Sequence, residues 1–79
     1  MYLRILSLRG VQYEGEVAGL SVKTLSGEIT VLNNHRPLIT SLKKGTAHII
    51  TSGGERKPIE ISSGFLEKDA NNKLNLLVD

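Results

Sequence analysis

Several residue types that mark particular classes of protein are missing or rare in this chain. It contains no cysteine and no tryptophan, with only one phenylalanine and two tyrosines, so disulfide bridges and thiolate sites are excluded and aromatic surfaces are scarce. The longest apolar runs, such as Leu74 to Val78, fall far short of the ~18 residues that span a bilayer. The start, Met1 to Arg4, lacks the basic and apolar regions of a secretory signal. These absences predict neither an integral membrane protein nor an exported one.

The chain length allows one domain. With 79 residues, it predicts a single small domain over residues 1–79. A chain of this size buries only about 60% of the surface that its unfolded form exposes, so it builds one modest core with little room for a large cavity. An elaborate enzyme pocket is therefore not expected.

The charge is close to balanced overall but uneven along the sequence. The net charge is +2, and residues 34–57 hold five basic residues against one acidic residue. Such an excess can meet phosphates or an acidic protein surface. However, Lys43-Lys44 and Arg56-Lys57 flank Gly45 and Gly53-Gly54, where hairpin turns are expected. We therefore interpret these charges as solvated turn residues that also protect strand edges.

The hydrophobic pattern predicts strands throughout. No window repeats apolar residues at helical spacing, whereas short alternating segments follow one another between Gly, Asn and Pro residues. Leu3 to Leu8 begins the series, and Ala18, Leu20 and Val22 share one face of a later strand. Because each strand has one apolar face, a second layer must cover it. The prediction is an all-β fold, a small two-sheet antiparallel β-sandwich of about eight to ten short strands.

No catalytic, metal or cofactor motif is recognisable. His35 and His48 are the only imidazoles and lie several predicted turns apart, without cysteine to complete a zinc set. Glu14 and Glu16 flank Gly15 in an extended segment, a pattern typical of an exposed edge or bulge rather than an acid–base pair. Ser62-Ser63-Gly64 lacks the nucleophile-elbow pattern, and no glycine cluster fits a phosphate loop. We expect no catalytic residue, no metal and no cofactor.

Nucleic-acid binding is the alternative function that the composition leaves open. A small basic β domain with an isoelectric point near 9.2 could be an oligonucleotide-binding barrel. Such surfaces need aromatic side chains on which bases stack. Only Tyr2, Tyr13 and Phe65 are available, and they do not alternate with basic residues on one strand.

Three segments taken in order resemble a known family. They are EITVLNNHRPL at residues 28–38, ISSGFLE at 61–67 and NKLNLLVD at 72–79. Together they resemble the N-terminal β-sandwich domain of the epsilon subunit of F-type ATP synthases, called delta in mitochondria. The family reads roughly GELGILPGHAPL, VSGGFLE and NKVTVLAD there, and the resemblance spans the whole chain. Its most specific element is the loop with His35, Pro37 and Leu38, followed by Gly64-Phe65.

Two departures from the family pattern carry expectations of their own. Asn33-Asn34 replace Pro-Gly, so we expect the loop to keep its path through asparagine's tolerance of positive φ but to lose some stiffness. Family members usually continue past the position of Asp79 into a hairpin of two helices, which brakes ATP hydrolysis in many and binds ATP in some. The expectation is therefore a sandwich domain without that hairpin, its brake or its nucleotide site.

The resemblance implies a non-catalytic part of the ATP synthase rotor. In the family, the sandwich lies at the foot of the central stalk, where it joins the gamma subunit to the polar loops of the membrane c-ring. It thereby couples proton or sodium flow to ATP synthesis and meets the catalytic alpha and beta subunits only indirectly. The implied location is peripheral, on the cytoplasmic face of a bacterial membrane, or on an organelle's inner or thylakoid membrane. No cofactor and no nucleic acid is implied.

The resemblance also carries site residues over by position. Glu28, with Ser26 and Gly27 in the preceding turn, matches the family's c-ring contact, where a basic residue of the ring loops could pair with the carboxylate. His35, Arg36, Thr40 and Ser62 match the flank that meets gamma.

Overall fold

The computed structural model describes all residues from 1 to 79 and contains strands but no helix. The alternating apolar pattern produces nine strands, as the sequence predicts. Their bounds are β1 Tyr2–Ser7, β2 Gly10–Glu16, β3 Gly19–Thr24, β4 Gly27–Leu32, β5 Leu38–Leu42, β6 Gly45–Ile50, β7 Arg56–Ile61, β8 Gly64–Lys68 and β9 Lys73–Val78.

The strands form one hydrogen-bonded path that curls into two packed layers. The order is β2-β1-β9-β8-β5-β3-β6-β7, with β4 added to β3. The link between the layers is narrow, because β5 pairs with β3 only at Leu42 and Thr24. Every pair is antiparallel except β1 with β9, which run parallel at the centre of one layer. The all-β sandwich prediction is confirmed, and this one parallel pair is an addition to it.

The core consists of the inward residues of both layers. Fourteen buried hydrophobic residues form a single cluster, and Leu3, Leu20, Leu66, Leu74 and Leu76 are fully enclosed. Alternation along each strand places them there, since every second side chain points to the same face. Each such leucine contributes about 1.5–3 kcal/mol on burial. This packing makes the domain a rigid body.

The turns gather at two opposite ends of the sandwich. The register of β3 with β5, β5 with β8, β8 with β9 and β9 with β1 brings four turns to one end, here called the hairpin end: residues 8–9, 25–26, 43–44 and 62–63. The other end, here called the loop end, carries residues 33–37, 51–55 and 69–72. Any contact with two different proteins can therefore use opposite ends of the domain.

The structure differs from the sequence prediction in where the first strand ends and in having an additional second strand. Leu8 lies in the turn after β1 and is fully exposed, at 103%, although the periodicity extends the strand to it. The segment before Ala18 forms an additional strand, β2, which is an edge strand with exposed Glu14 and Glu16. The edge interpretation of these two glutamates is confirmed. Alternation is weak in β2 because an edge strand over solvent needs little apolar surface.

Candidate contact surfaces

Glu28 follows a tight turn at the hairpin end. In this turn the Thr24 hydroxyl donates to the Gly27 carbonyl at 2.7 Å and accepts from the Ser26 amide at 3.1 Å. Gly27 has a φ of 112°, a backbone conformation that residues with a side chain rarely adopt. The turn is therefore braced from within, and Ser26, Gly27 and Glu28 lie side by side at its tip.

The Glu28 carboxylate is exposed and has no ionic partner. Glu28 pairs in register with Lys23, but the Lys23 side chain lies against Gly45, where an added Cβ would be 2.7 Å from its Cδ. The two ion pairs of the structure are elsewhere, at the Met1 ammonium with Glu16 and at Arg4 with Glu14. Glu28 thus keeps its charge available on the rim of a shallow concavity of about 310 Å³ that Lys23 and Lys43 also line.

Exposed leucines accompany these charges at the hairpin end. Leu8 is fully exposed and Leu25 is 73% exposed, each at the tip of a turn. Exposed apolar tips beside charged groups are suited to a protein contact, in which the apolar area supplies free energy and the charges supply orientation.

His35 and Arg36 lie at the loop end, in the exposed connection between β4 and β5. The His35 amide donates to the Leu32 carbonyl at 3.1 Å, and the His35 Nδ1 is 2.7 Å from the Arg36 carbonyl. Asn34 has a φ of 63°, so the predicted use of asparagine at positive φ is confirmed. The Asn34 amide donates to the Asn72 Oδ1 at 2.9 Å and so ties the loop to the β8–β9 turn. The loss of stiffness relative to a Pro-Gly loop stays a prediction.

Thr40 and Ser62 lie apart from that loop. Thr40 is in the middle of β5, half-buried and paired with Leu66 of β8, whereas Ser62 is exposed at the hairpin end. The four residues carried over as a gamma contact therefore run along the side of the sandwich over the length of β5, about 13 Å at ~3.3 Å per residue. The structure brings together His35 with Arg36, and Ser26 with Glu28. It does not bring the four gamma-contact residues into one cluster.

The sequence analysis missed an apolar stripe on the outer face of the β1-β9-β8-β5 layer. Phe65, Leu77 and Ile39 are 59%, 57% and 75% exposed. Leu77 pairs with both Phe65 and Leu6, and Val11 of β2 pairs with Leu6, so the side chains form a row across neighbouring strands. We call Val11, Leu6, Leu77, Phe65 and Ile39 the apolar stripe. The signal was present, because Leu38-Ile39, Phe65-Leu66 and Leu76-Leu77 place two adjacent apolar residues on a strand, where only one can face the core.

A polar concavity lies near the loop end. It measures about 700 Å³ and is lined by side chains that include Tyr2, Arg4, Glu14 and Lys73. Arg4 Nε lies 3.2 Å from the Glu14 Oε2. A hydrogen bond to Glu14, together with desolvation, raises the pKa of the Tyr2 phenol above 10.0. Arg4 and Glu14 are therefore already paired with each other.

The structure contains neither a metal-binding cluster of side chains nor a membrane-spanning helix. No group of three or more His, Asp or Glu residues could hold a metal ion. His48 is half-buried on β6, as expected of an ordinary strand residue, and its Nδ1 is enclosed without a hydrogen-bond partner. No helix of the structure is long and apolar enough to cross a bilayer.

The aromatic residues do not form a stacking surface for bases. Tyr13 packs against the core, Tyr2 lies near the loop end opposite Lys73, and Phe65 lies near the hairpin end opposite Leu77. The surroundings of Phe65 are apolar rather than basic. The arrangement gives the nucleic-acid hypothesis no support.

Comparison with known proteins gives concordant results. The family "ATP synthase, Delta/Epsilon chain, beta-sandwich domain" matches residues 1–79. The ATP synthase epsilon chain of Psychrobacter arcticus is 45% identical over 64 residues, which is 81% of this chain and 46% of that protein. The corresponding chain of Clostridium kluyveri is 39% identical over 67 residues, 85% of this chain and 50% of that protein. The chain thus spans about half the length of the curated relatives that it matches.

Two solved structures share the fold. A chain of the Euglena gracilis mitochondrial ATP synthase superposes with a TM-score of 0.89 over 96% of this chain and 48% of that chain, at 22% identity. A chain of the central stalk and c-ring of the Tetrahymena thermophila mitochondrial ATP synthase gives 0.81 over 99% of this chain and 62% of that one, at 15% identity. At these identities, the likeness concerns the fold.

Proposed function

Since the chain belongs to the ATP synthase delta/epsilon family through its β-sandwich domain, we propose that it is a non-catalytic subunit of the central stalk of an F-type ATP synthase. In this role residues 1–79 form one sandwich domain that joins the gamma subunit to the c-ring and helps to couple ion-driven rotation to ATP synthesis or hydrolysis. Its location is then peripheral, at the cytoplasmic face of an energy-transducing membrane.

The observation that carries the proposal is the apolar stripe on a rigid sandwich. Single exposed apolar residues are common on protein surfaces, but a contiguous row across neighbouring strands marks a contact with another protein. Phe65 and Leu77 are direct register partners at its centre. A subunit that transmits torque needs this combination of a close-packed core that resists shear and an apolar face that remains attached to its neighbour.

The gamma contact in this proposal runs along the β5 side of the domain. His35 and Arg36 contribute polar groups at the loop end and Ser62 at the hairpin end, and the stripe residue Ile39 lies on the outer face of β5. Thr40 is half-buried opposite the core residue Leu66, so it is the least accessible of the four carried-over residues. An apolar centre with polar residues at its rim is the usual organisation of a protein–protein interface. Gamma therefore fits this side better than either end.

The c-ring contact uses the hairpin end. Glu28, Ser26 and Gly27 form the tip of the β3–β4 turn, with exposed Leu25 beside them. The unpaired Glu28 carboxylate is available to a basic residue of the ring loops. An ion pair that remains solvated contributes little, whereas one that loses water at the interface contributes more and fixes orientation.

A binding experiment with purified gamma tests the proposal. We expect the chain to form a stable complex with gamma, and Phe65→Ser to weaken it by about 2 kcal/mol through lost apolar burial, roughly a 30-fold change in affinity. The matched control is Leu32→Ser, which alters a leucine that is 52% exposed on the other layer. No binding by the wild-type chain would refute the proposal, and equal effects of the two variants would remove the stripe from the interface.

A further inference from the structure

A lysine is buried in the core near the loop end. Lys68 is 2% exposed, lies on the inward face of β8 and pairs in register with Leu38 and Leu74. Its ammonium donates to the His35 carbonyl at 2.9 Å and to the Asp69 carbonyl at 3.2 Å. The Asp69 carboxylate is engaged elsewhere, accepting from the amides of Asn71 and Lys73. Lys68 therefore has carbonyl partners and no acidic one.

This arrangement ties two connections of the fold together. A buried ammonium without a carboxylate is costly unless fixed dipoles solvate it. The two dipoles here belong to different segments, because His35 lies in the β4–β5 connection and Asp69 follows β8. Since the ammonium needs both carbonyls in place, its hydrogen bonds hold the β4–β5 loop against the β8–β9 turn.

A second set of hydrogen bonds joins the same two segments. The Asn72 Oδ1 accepts from the Asn34 amide at 2.9 Å, and the Asn72 Nδ2 donates to the Asn33 Oδ1 at 3.3 Å. Asn72 itself has a φ of 59°, in the left-handed region that asparagine tolerates. The backbone of the exposed loop is thus held by Asn72 just before His35 and by Lys68 at the His35 carbonyl.

We propose that Lys68 is the positioning residue that holds the β4–β5 loop in the conformation in which His35 and Arg36 meet their partner. The part of this inference that concerns the partner rests on the proposed gamma contact. A loop already ordered in its bound form loses less conformational entropy on binding, so the lysine acts on affinity without touching gamma.

Two measurements on Lys68→Met test the inference. Methionine fills a similar volume but provides no donor, so we expect amide hydrogen exchange in residues 33–36 to accelerate on the order of tenfold while exchange in β3 and β9 stays slow. We also expect gamma affinity to fall about tenfold. Lys68→Arg, which retains a cationic donor, should recover part of both losses. Lys73→Met, which removes an exposed lysine at the same end, should leave both quantities unchanged.

A double-mutant cycle separates positioning from a general loss of stability. If Lys68 acts through the loop, the affinity losses of Lys68→Met and His35→Ala are smaller together than their sum. Additive losses, or unchanged exchange in the loop, would overturn the inference. Should Lys68→Met fail to fold, Asn72→Gly removes the second set of hydrogen bonds, keeps the positive φ accessible, and must accelerate the same amides. Absence of gamma binding by the wild-type chain would refute the proposed function alone, and loop exchange would then decide the inference.

Discussion

Replacing Gly64 with alanine should remove a large part of the stability of the domain. Gly64 has a φ of 148°, and an added Cβ would lie 2.0 Å from the Leu77 carbonyl oxygen and 2.9 Å from the Val78 Cα. All three of the nearest atoms are backbone, so no side chain can rotate away, and β8 and β9 must separate at the point where they pair. The unfavourable φ adds about 1–2 kcal/mol to the cost of that displacement.

We expect a total loss of about 4 kcal/mol, which is at the upper end of point-mutant effects. A domain of this size has a free energy of unfolding of about 4–12 kcal/mol. At roughly 4–8 °C per kcal/mol, the midpoint of thermal unfolding should fall by about 15–30 °C. The assay is urea unfolding followed by circular dichroism, with the midpoint and the slope of the transition fitted separately.

Gly27→Ala provides the matched control. Gly27 also has a positive φ, of 112°, but an added Cβ would have no atom within 4 Å. This variant should lose only the conformational term, about 1–2 kcal/mol. If Gly64→Ala lost no more stability than Gly27→Ala, the steric reasoning would be refuted, and with it the close approach of β8 to β9 that brings Phe65 beside Leu77.

Two further predictions concern charge. Glu28→Arg should weaken binding to the c-ring by about 1–2 kcal/mol, with a loss that shrinks as salt rises, and leave unfolding unchanged. Binding would be measured by co-sedimentation with purified ring. The control is Glu55→Arg, a charge reversal in an exposed residue at the loop end. Equal losses of ring binding in the two variants would contradict the assignment of Glu28 to the c-ring contact. The raised pKa of Tyr2 means that the folded state favours the neutral phenol. The contribution of Tyr2 to the stability of the fold is therefore present below pH 10.0 and is lost as the pH rises through the raised pKa. Glu14→Gln should therefore move the tyrosinate absorbance transition of Tyr2 to lower pH, measured against Tyr2→Phe, and an unmoved transition would show that the hydrogen bond is not the cause.

Local sequence signals were sufficient for the strands and the turns. Alternation in segments such as Ala47 to Ile50 and turn residues such as Gly45 act over a few residues, where strand and turn preferences are strongest. The same reasoning extends to the ends of the molecule. Consecutive antiparallel strands alternate in direction, so Glu28 and His35, at the two ends of β4, must lie on opposite ends of the sandwich.

Long-range pairing and side-chain burial were harder to predict. The first and last strands meet as a parallel pair, which no local pattern specifies because the two segments are distant in the chain. The charge of a lysine favours an exposed position, although the spacing of Lys68 from Leu66 places it on the inward face. The apolar stripe is hard to predict for a related reason, because an adjacent apolar pair does not itself show which member faces the core.

If the chain is a coupling part of the rotor and not a catalyst, its presence must change how efficiently ATP hydrolysis drives ion pumping. ATP-driven pumping would be measured in vesicles that carry an ATP synthase depleted of its epsilon subunit, before and after addition of the purified chain. We expect the chain to restore pumping per ATP hydrolysed, and Phe65→Ser to restore less. Pumping that stays at the depleted level although the chain is bound would contradict the coupling role.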